Sequence, residues 1–88
     1  MYEVELSEHA QRFLNKLDKH IKDMVEERLR KLKVIPIPSD AKFIGRDDLN
    51  NKIFRYRIGD FRALYKVKET EHSVLIAKID KRPRVYDR

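Results

Sequence analysis

Eighty-eight residues make one domain with a single modest core, and 41% hydrophobic and 41% charged residues at mean hydropathy -0.73 describe a water-compatible chain patterned enough to fold. No apolar run approaches the roughly 20 residues of a spanning helix and no signal peptide precedes the first periodic segment. The chain has no cysteine, which excludes disulfides and thiolate metal sites and fits a cytoplasmic location.

Tyr2, Val4 and Leu6 alternate with Glu3 and Glu5, predicting a short first strand. Ser7 has the chemistry of a helix N-cap, with Glu8 in the first turn where a carboxylate suits the helix dipole. Ala10, Phe13, Leu14 and Leu17 follow at helical spacing. A second helix begins at Asp18 or Lys19, with Ile21, Met24, Val25, Leu29 and Leu32 facing inward, so the two helices form a hairpin with a short joint. Pro36 and Pro38 end helical structure, because proline lacks an amide proton and restricts the residue before it.

The rest reads as strands. Ala41–Ile44 is closed by Gly45, with Lys42 and Ile44 on one face and Phe43 on the other, and Asp47–Asn51 makes a polar turn. Two long strands at about 52–58 and 61–67 flank a Gly59-Asp60 turn, a turn spans Lys68–His72, and a last strand near Ser73–Ile79 leads into a basic tail, Asp80–Arg88. The expected fold class is α+β: an antiparallel sheet packed against an N-terminal helix hairpin, in one domain over residues 1–88.

The net charge of +6 sits on the strand-rich half: residues 41–88 hold thirteen Lys/Arg and seven Asp/Glu, whereas residues 1–40 hold eight of each. Such a field favours nucleic acid or an acidic protein. A membrane is the weaker reading, since no helix combines a basic face with Trp or Phe anchors. Alternation puts Arg55 and Arg57 on one face and Phe54, Tyr56 and Ile58 on the other, with Arg62 returning beside the arginines and Phe61, Ala63 and Tyr65 opposite. Guanidiniums crowded on one sheet face repel one another unless an anion is expected there, so the patch reads as a phosphate-binding surface. The competing reading is a solvated face decorated with charge.

Lys81, Arg82 and Arg84 with Tyr86 add cations and a phenol, a combination suited to RNA, where a base can lie on a ring; the bland alternative is a frayed terminus. His9, His20 and His72 have no metal-ligand spacing and read as surface residues, and no cofactor or metal motif is present. Phe54, Tyr56, Phe61 and Tyr65 read as core rather than a stacking platform, and Phe43 and Leu49 as packing.

The chain resembles the RelE/ParE toxin superfamily, in particular archaeal RelE-type toxins. The resemblance is carried by Tyr2-Glu3-Val4-Glu5-Leu6-Ser7 with Ala10 and Leu14, by Lys42-Phe43-Ile44-Gly45, by Phe54-Arg55-Tyr56-Arg57-Ile58-Gly59-Asp60-Phe61-Arg62-Ala63-Leu64-Tyr65, and by Lys81-Arg82 with Val85-Tyr86. It implies a ribosome-dependent, metal-independent endoribonuclease that cuts mRNA and is silenced by a RelB-like antitoxin. By position, Arg62 matches the arginine that contacts the scissile phosphate, Arg82 the tail arginine assigned to the leaving group, and Tyr86 the tail tyrosine near the base or nucleophile. Arg55 and Arg57 stand where better-studied members carry lysines, and a guanidinium, with a pKa above roughly 12, is no general base. Lys81 stands where many relatives have histidine and could accept a proton only if its surroundings favoured the neutral amine. Lys42, Arg55, Arg57 and Arg84 complete the expected RNA-binding set, and Arg62, Arg82, Tyr86, Arg57 and Lys81 the catalytic one. A ParE-like gyrase inhibitor, an RNA-binding member that does not cut, and a generic basic interaction domain are the alternatives.

Overall fold

The computed structural model describes residues 1–82. Its elements run β1 (Glu3–Leu6), α1 (Glu8–Asn15), α2 (Lys19–Arg30), a 3₁₀ turn (Lys31–Lys33), β2 (Lys42–Arg46), β3 (Lys52–Ile58), β4 (Phe61–Lys68) and β5 (Ser73–Lys81). The strands form one five-stranded sheet in the order β1-β5-β4-β3-β2. The α+β class and the helix-then-strand order match expectation. One pair departs from it: β1 runs parallel to β5, because the chain crosses over through both helices before returning to that edge.

Ser7 sets the first helix. Its hydroxyl accepts from the Ala10 amide at 3.0 Å and donates to the Ala77 carbonyl at 2.7 Å, so one side chain caps α1 and ties it to β5. Helix residues Ala10, Leu14, Val25, Leu29 and Leu32 are buried with Phe54, Tyr56, Ile58, Phe61, Ala63, Tyr65, Val67, Val74, Ile76 and Ile79. The helices therefore cover one face of the sheet and leave the other open. Met24, expected inside, is 42% exposed, as is Phe43 at 53%; Leu49 stands out at 82%. Phe43 lies on edge strand β2, where it meets Phe54 edge-on at 5.7 Å, and Leu49 projects from a turn in which its amide donates to Asp47.

Two irregularities decide which side chains reach the open face. Ile44 is an extra residue between the pairs Phe43–Phe54 and Gly45–Ile53, and Ala77 is extra between Tyr65–Ile76 and Leu64–Lys78. A bulge shifts the alternation by one residue. Val74 and Ile76 face the helices before the second bulge, and Ile79 does so after it, leaving Asp80 on the open face. Between β3 and β4, Gly59 takes φ 58, a left-handed conformation open to glycine without strain.

The Asp47–Asn51 turn is fixed by its first carboxylate. Asp47 accepts from the backbone amides of Leu49 and Asn51, both at 2.9 Å, and pairs with the Lys66 ammonium at 2.9 Å. The Lys66 hydrogen bond first, then the Asn51 amide, hold its carboxyl well below the usual carboxylate range. A depressed carboxyl contributes stability that is present above its unfolded value of 3.8 and is lost as pH falls below it. Asp47→Asn should therefore flatten the drop in melting temperature between about pH 5 and pH 2. An unchanged acid limb would exclude Asp47 as its source.

Candidate functional site

The open face is read in rows across the sheet. Lys42 on β2 lies opposite Arg55 on β3, Arg55 opposite Leu64 on β4, and Leu64 opposite Lys78 on β5. One row nearer the hairpin turn, Arg57 faces Arg62 and Arg62 faces Asp80. The Arg82 amide donates to the Asp60 carbonyl at 2.8 Å, which draws the end of β5 over the Gly59-Asp60 turn. As a result Lys42, Arg55, Arg57, Arg62 and Arg82 line one open cavity of about 260 Å³ together with Asp40. The arginines sit on paired backbone, so little further ordering is needed for them to meet a ligand.

A second hollow of about 260 Å³ adjoins the first, with Arg55 and Arg62 as shared walls, Ile44 and Leu64 as apolar surface, and Lys78 and Asp80 at its far side. Asp80 lies 3.7 Å from Arg62 Nε and 3.8 Å from Lys78 Nζ. Lys66, also on this face, is tied to Asp47.

The expected residues divide into three groups. Lys42, Arg55, Arg57, Arg62 and Arg82 come together. Lys81 does not: it pairs with Phe61, a residue of the helix-covered face, and lies on that side of the sheet. Its displacement follows from the Ala77 bulge, which exchanges the facings of residues 80 and 81. Arg84 and Tyr86 fall outside the described residues.

Strand alternation does not reveal Asp40 and Asp80: β3 and β4 carry no acid beside the arginines, yet the neighbouring strand supplies Asp80 and the segment before β2 supplies Asp40. The signal for Asp80 lay in Ile76-Ala77-Lys78-Ile79, where apolar residues three apart break strand alternation and betray the bulge. His9 and His20 are exposed, as expected, and His72 is exposed while stacking on Tyr2 at 4.5 Å.

Helices on one face of a mixed sheet and a guanidinium-lined cavity on the other define a small α+β protein with a cluster of basic residues on the helix-free side. The chain belongs to the ParE toxin family of type II toxin–antitoxin systems, whose family model matches residues 4–86. It is 33% identical over 75 residues to a candidate RelE1 toxin of Methanocaldococcus jannaschii, covering 77% of this chain and 83% of that one. The toxin–antitoxin complex RelBE2 of Mycobacterium tuberculosis contains a chain 30% identical, with TM-score 0.75 over 92% of this chain and 98% of that one. The archaeal RelE–RelB complex of Pyrococcus horikoshii OT3 gives TM-score 0.83 at 23% identity, over 94% and 97% of the two chains, a likeness of fold. The protein is thus a toxin of the RelE/ParE superfamily. No described helix is long and apolar enough to cross a membrane.

Proposed function

We propose that the protein is a ribosome-dependent endoribonuclease that cleaves mRNA by attack of a ribose 2′-hydroxyl on its adjacent phosphate. The observation that carries this reading is the gathering of Lys42, Arg55, Arg57, Arg62 and Arg82 around one cavity on a rigid sheet. In the reaction the 2′-oxygen–phosphorus bond forms and the phosphorus–5′-oxygen bond breaks. The 2′-hydroxyl loses its proton, the 5′-oxygen gains one, and the products are a 2′,3′-cyclic phosphate and a 5′-hydroxyl. Negative charge grows on the non-bridging oxygens, and preplaced guanidiniums stabilise it more in the transition state than in the ground state.

Arg62, central in the row between Arg57 and Asp80, takes the scissile phosphate, with Arg57 alongside. Arg82, held over the hairpin turn, attends the leaving 5′-oxygen. Lys42 and Arg55 hold a flanking phosphate. No arginine serves as the base, since a guanidinium stays protonated at working pH. In-line positioning on the ribosome supplies much of the remaining rate. A RelB-like antitoxin is the partner that silences this site, a reading supported by the similar M. tuberculosis chain, which is described in a toxin–antitoxin complex.

The matched family model is named for ParE, and a gyrase inhibitor is accordingly the second reading. Expressing the protein and mapping the 5′ ends of cellular transcripts separates the two. Codon-phased cuts bearing 5′-hydroxyls are expected. DNA damage without such cuts would move the assignment to gyrase, and neither outcome would leave a toxin that binds without cutting.

A further inference from the structure

Arg62 occupies an electrostatically awkward place. Arg57 stands directly across from it on β3, and like charges directly opposite on a sheet repel. Arg55 and Arg82 line the same cavity and add to the push. On the other side stands Asp80, its cross-strand partner on β5, with Oδ1 3.7 Å from Arg62 Nε. That oxygen is shielded from solvent and has no hydrogen-bond partner among the described residues, while Oδ2 lies 3.8 Å from Lys78 Nζ. A shielded carboxylate oxygen without a donor is costly, and the Arg62 Nε–H is the donor that a small side-chain rotation would bring to it. A guanidinium offers donors on two edges: its Nε edge can face Asp80 while its Nη edge faces the cavity.

We propose that Asp80 is a positioning residue for Arg62: it holds the Nε edge of the guanidinium, aims the Nη edge at the bound phosphate, and accepts weaker anion binding in return. The inference rests on the ribonuclease reading for its kinetic consequence but not for its geometry. A carboxylate beside an anion site opposes ground-state binding, because its field repels the phosphate. The same carboxylate keeps Arg62 from swinging away from Arg57, and misplacement of about 1 Å at a reacting centre can cost on the order of a hundredfold in rate. The two effects have opposite signs, and that makes them separable.

The test is Asp80→Asn, which removes the charge and keeps the shape, with Asp80→Ser as a second neutral variant should the first fail to fold. Single-turnover cleavage on mRNA-programmed ribosomes should fall about 10- to 100-fold. The toxin concentration for half-maximal cleavage should drop about threefold, as removal of a unit charge several ångström away in a largely aqueous site implies. A carboxylate that merely repelled RNA would, once neutralised, improve both quantities or leave the rate untouched, and either result overturns the proposal. A second readout needs no activity: the Arg62 side-chain Nε–Hε resonance should be protected from solvent exchange in the wild type and lose that protection in the neutral variant. Equal protection in both overturns the proposal. If the wild type cuts no ribosome-bound mRNA, the ribonuclease reading falls, and the resonance alone decides what Asp80 does.

Discussion

Replacing Arg62 with alanine is expected to lower ribosome-bound mRNA cleavage by at least about 10²–10³-fold, the loss typical when one preorganised donor to a developing oxyanion is removed. The size follows from its place. Arg62 lies between Arg57 and Asp80 in its row, half-buried on a strand paired on both sides, and it walls both hollows of the open face. Neighbouring guanidiniums cannot cover its absence, because their own strand positions fix where they reach. On the ribonuclease reading the effect should appear in the single-turnover rate far more than in half-saturation, since Lys42, Arg55 and Arg82 would still be present to hold RNA in the ground state. Arg62→Lys keeps the charge but loses the bidentate fork, so it should recover part of the binding and little of the rate. Melting temperature should barely move, because no core contact is lost. A variant that cleaves within about threefold of wild type would remove Arg62 from the chemistry, whatever its effect on RNA binding.

Strand alternation around Gly59-Asp60 made the central part of this site legible. Arg55, Arg57 and Arg62 share a face wherever β3 and β4 pair across a two-residue turn, and the apolar partners Phe54, Tyr56, Ile58, Phe61, Ala63 and Tyr65 leave one choice for the buried side. The helices were equally plain, since Ala10, Leu14, Val25 and Leu29 keep helical spacing and all are buried. Period-two reasoning held across the Ile44 bulge, with Lys42 and Ile44 on the open face and Phe43 on the other, and failed at the Ala77 bulge. Carrying alternation from Ser73 through Ala77 sends Lys81 to the arginine side, whereas the extra residue sends Asp80 there instead. Local pattern starts the tail at Asp80, yet β5 continues to Lys81, where the Arg82 amide closes onto the Asp60 carbonyl. Hydrophobicity misled at Leu49 and Met24, whose side chains stay exposed. Asp40 was invisible for a different reason: the pairing of β2 with β3, not local pattern, brings the segment before β2 to the basic face.

The largest expected effect on stability lies at Tyr65, directly behind that face. Its side chain is fully buried, stacked on Phe54 at 5.6 Å and met edge-on by Tyr56 at 6.4 Å. Its hydroxyl donates to the Pro36 carbonyl at 2.8 Å. Burial above all, then Tyr56 and Asp40, pushes the phenol well above its usual range, so it remains a neutral donor at any physiological pH. Tyr65→Ala should cost about 3–5 kcal/mol, the range for deleting a core aromatic, against a total of only about 5–15 kcal/mol for a typical protein. Tyr65→Phe isolates the hydrogen bond: the ring packing stays, the Pro36 carbonyl loses its donor, and about 1–3 kcal/mol should follow. In a domain of this size each kcal/mol lowers the melting temperature by about 4–8 °C, which circular dichroism resolves easily. The bond also reaches the site. Pro36 belongs to the segment that follows the 3₁₀ turn and carries Asp40 and Lys42 to the cavity, so loosening it should weaken RNA binding through Lys42 while leaving Arg62 in place. Tyr65→Phe is therefore expected to raise the half-saturating toxin concentration with little change in single-turnover rate, the reverse of the Arg62→Ala pattern. A melting temperature equal to that of the wild type would mean that the Pro36 carbonyl finds another donor and that Tyr65 anchors the segment by ring packing alone.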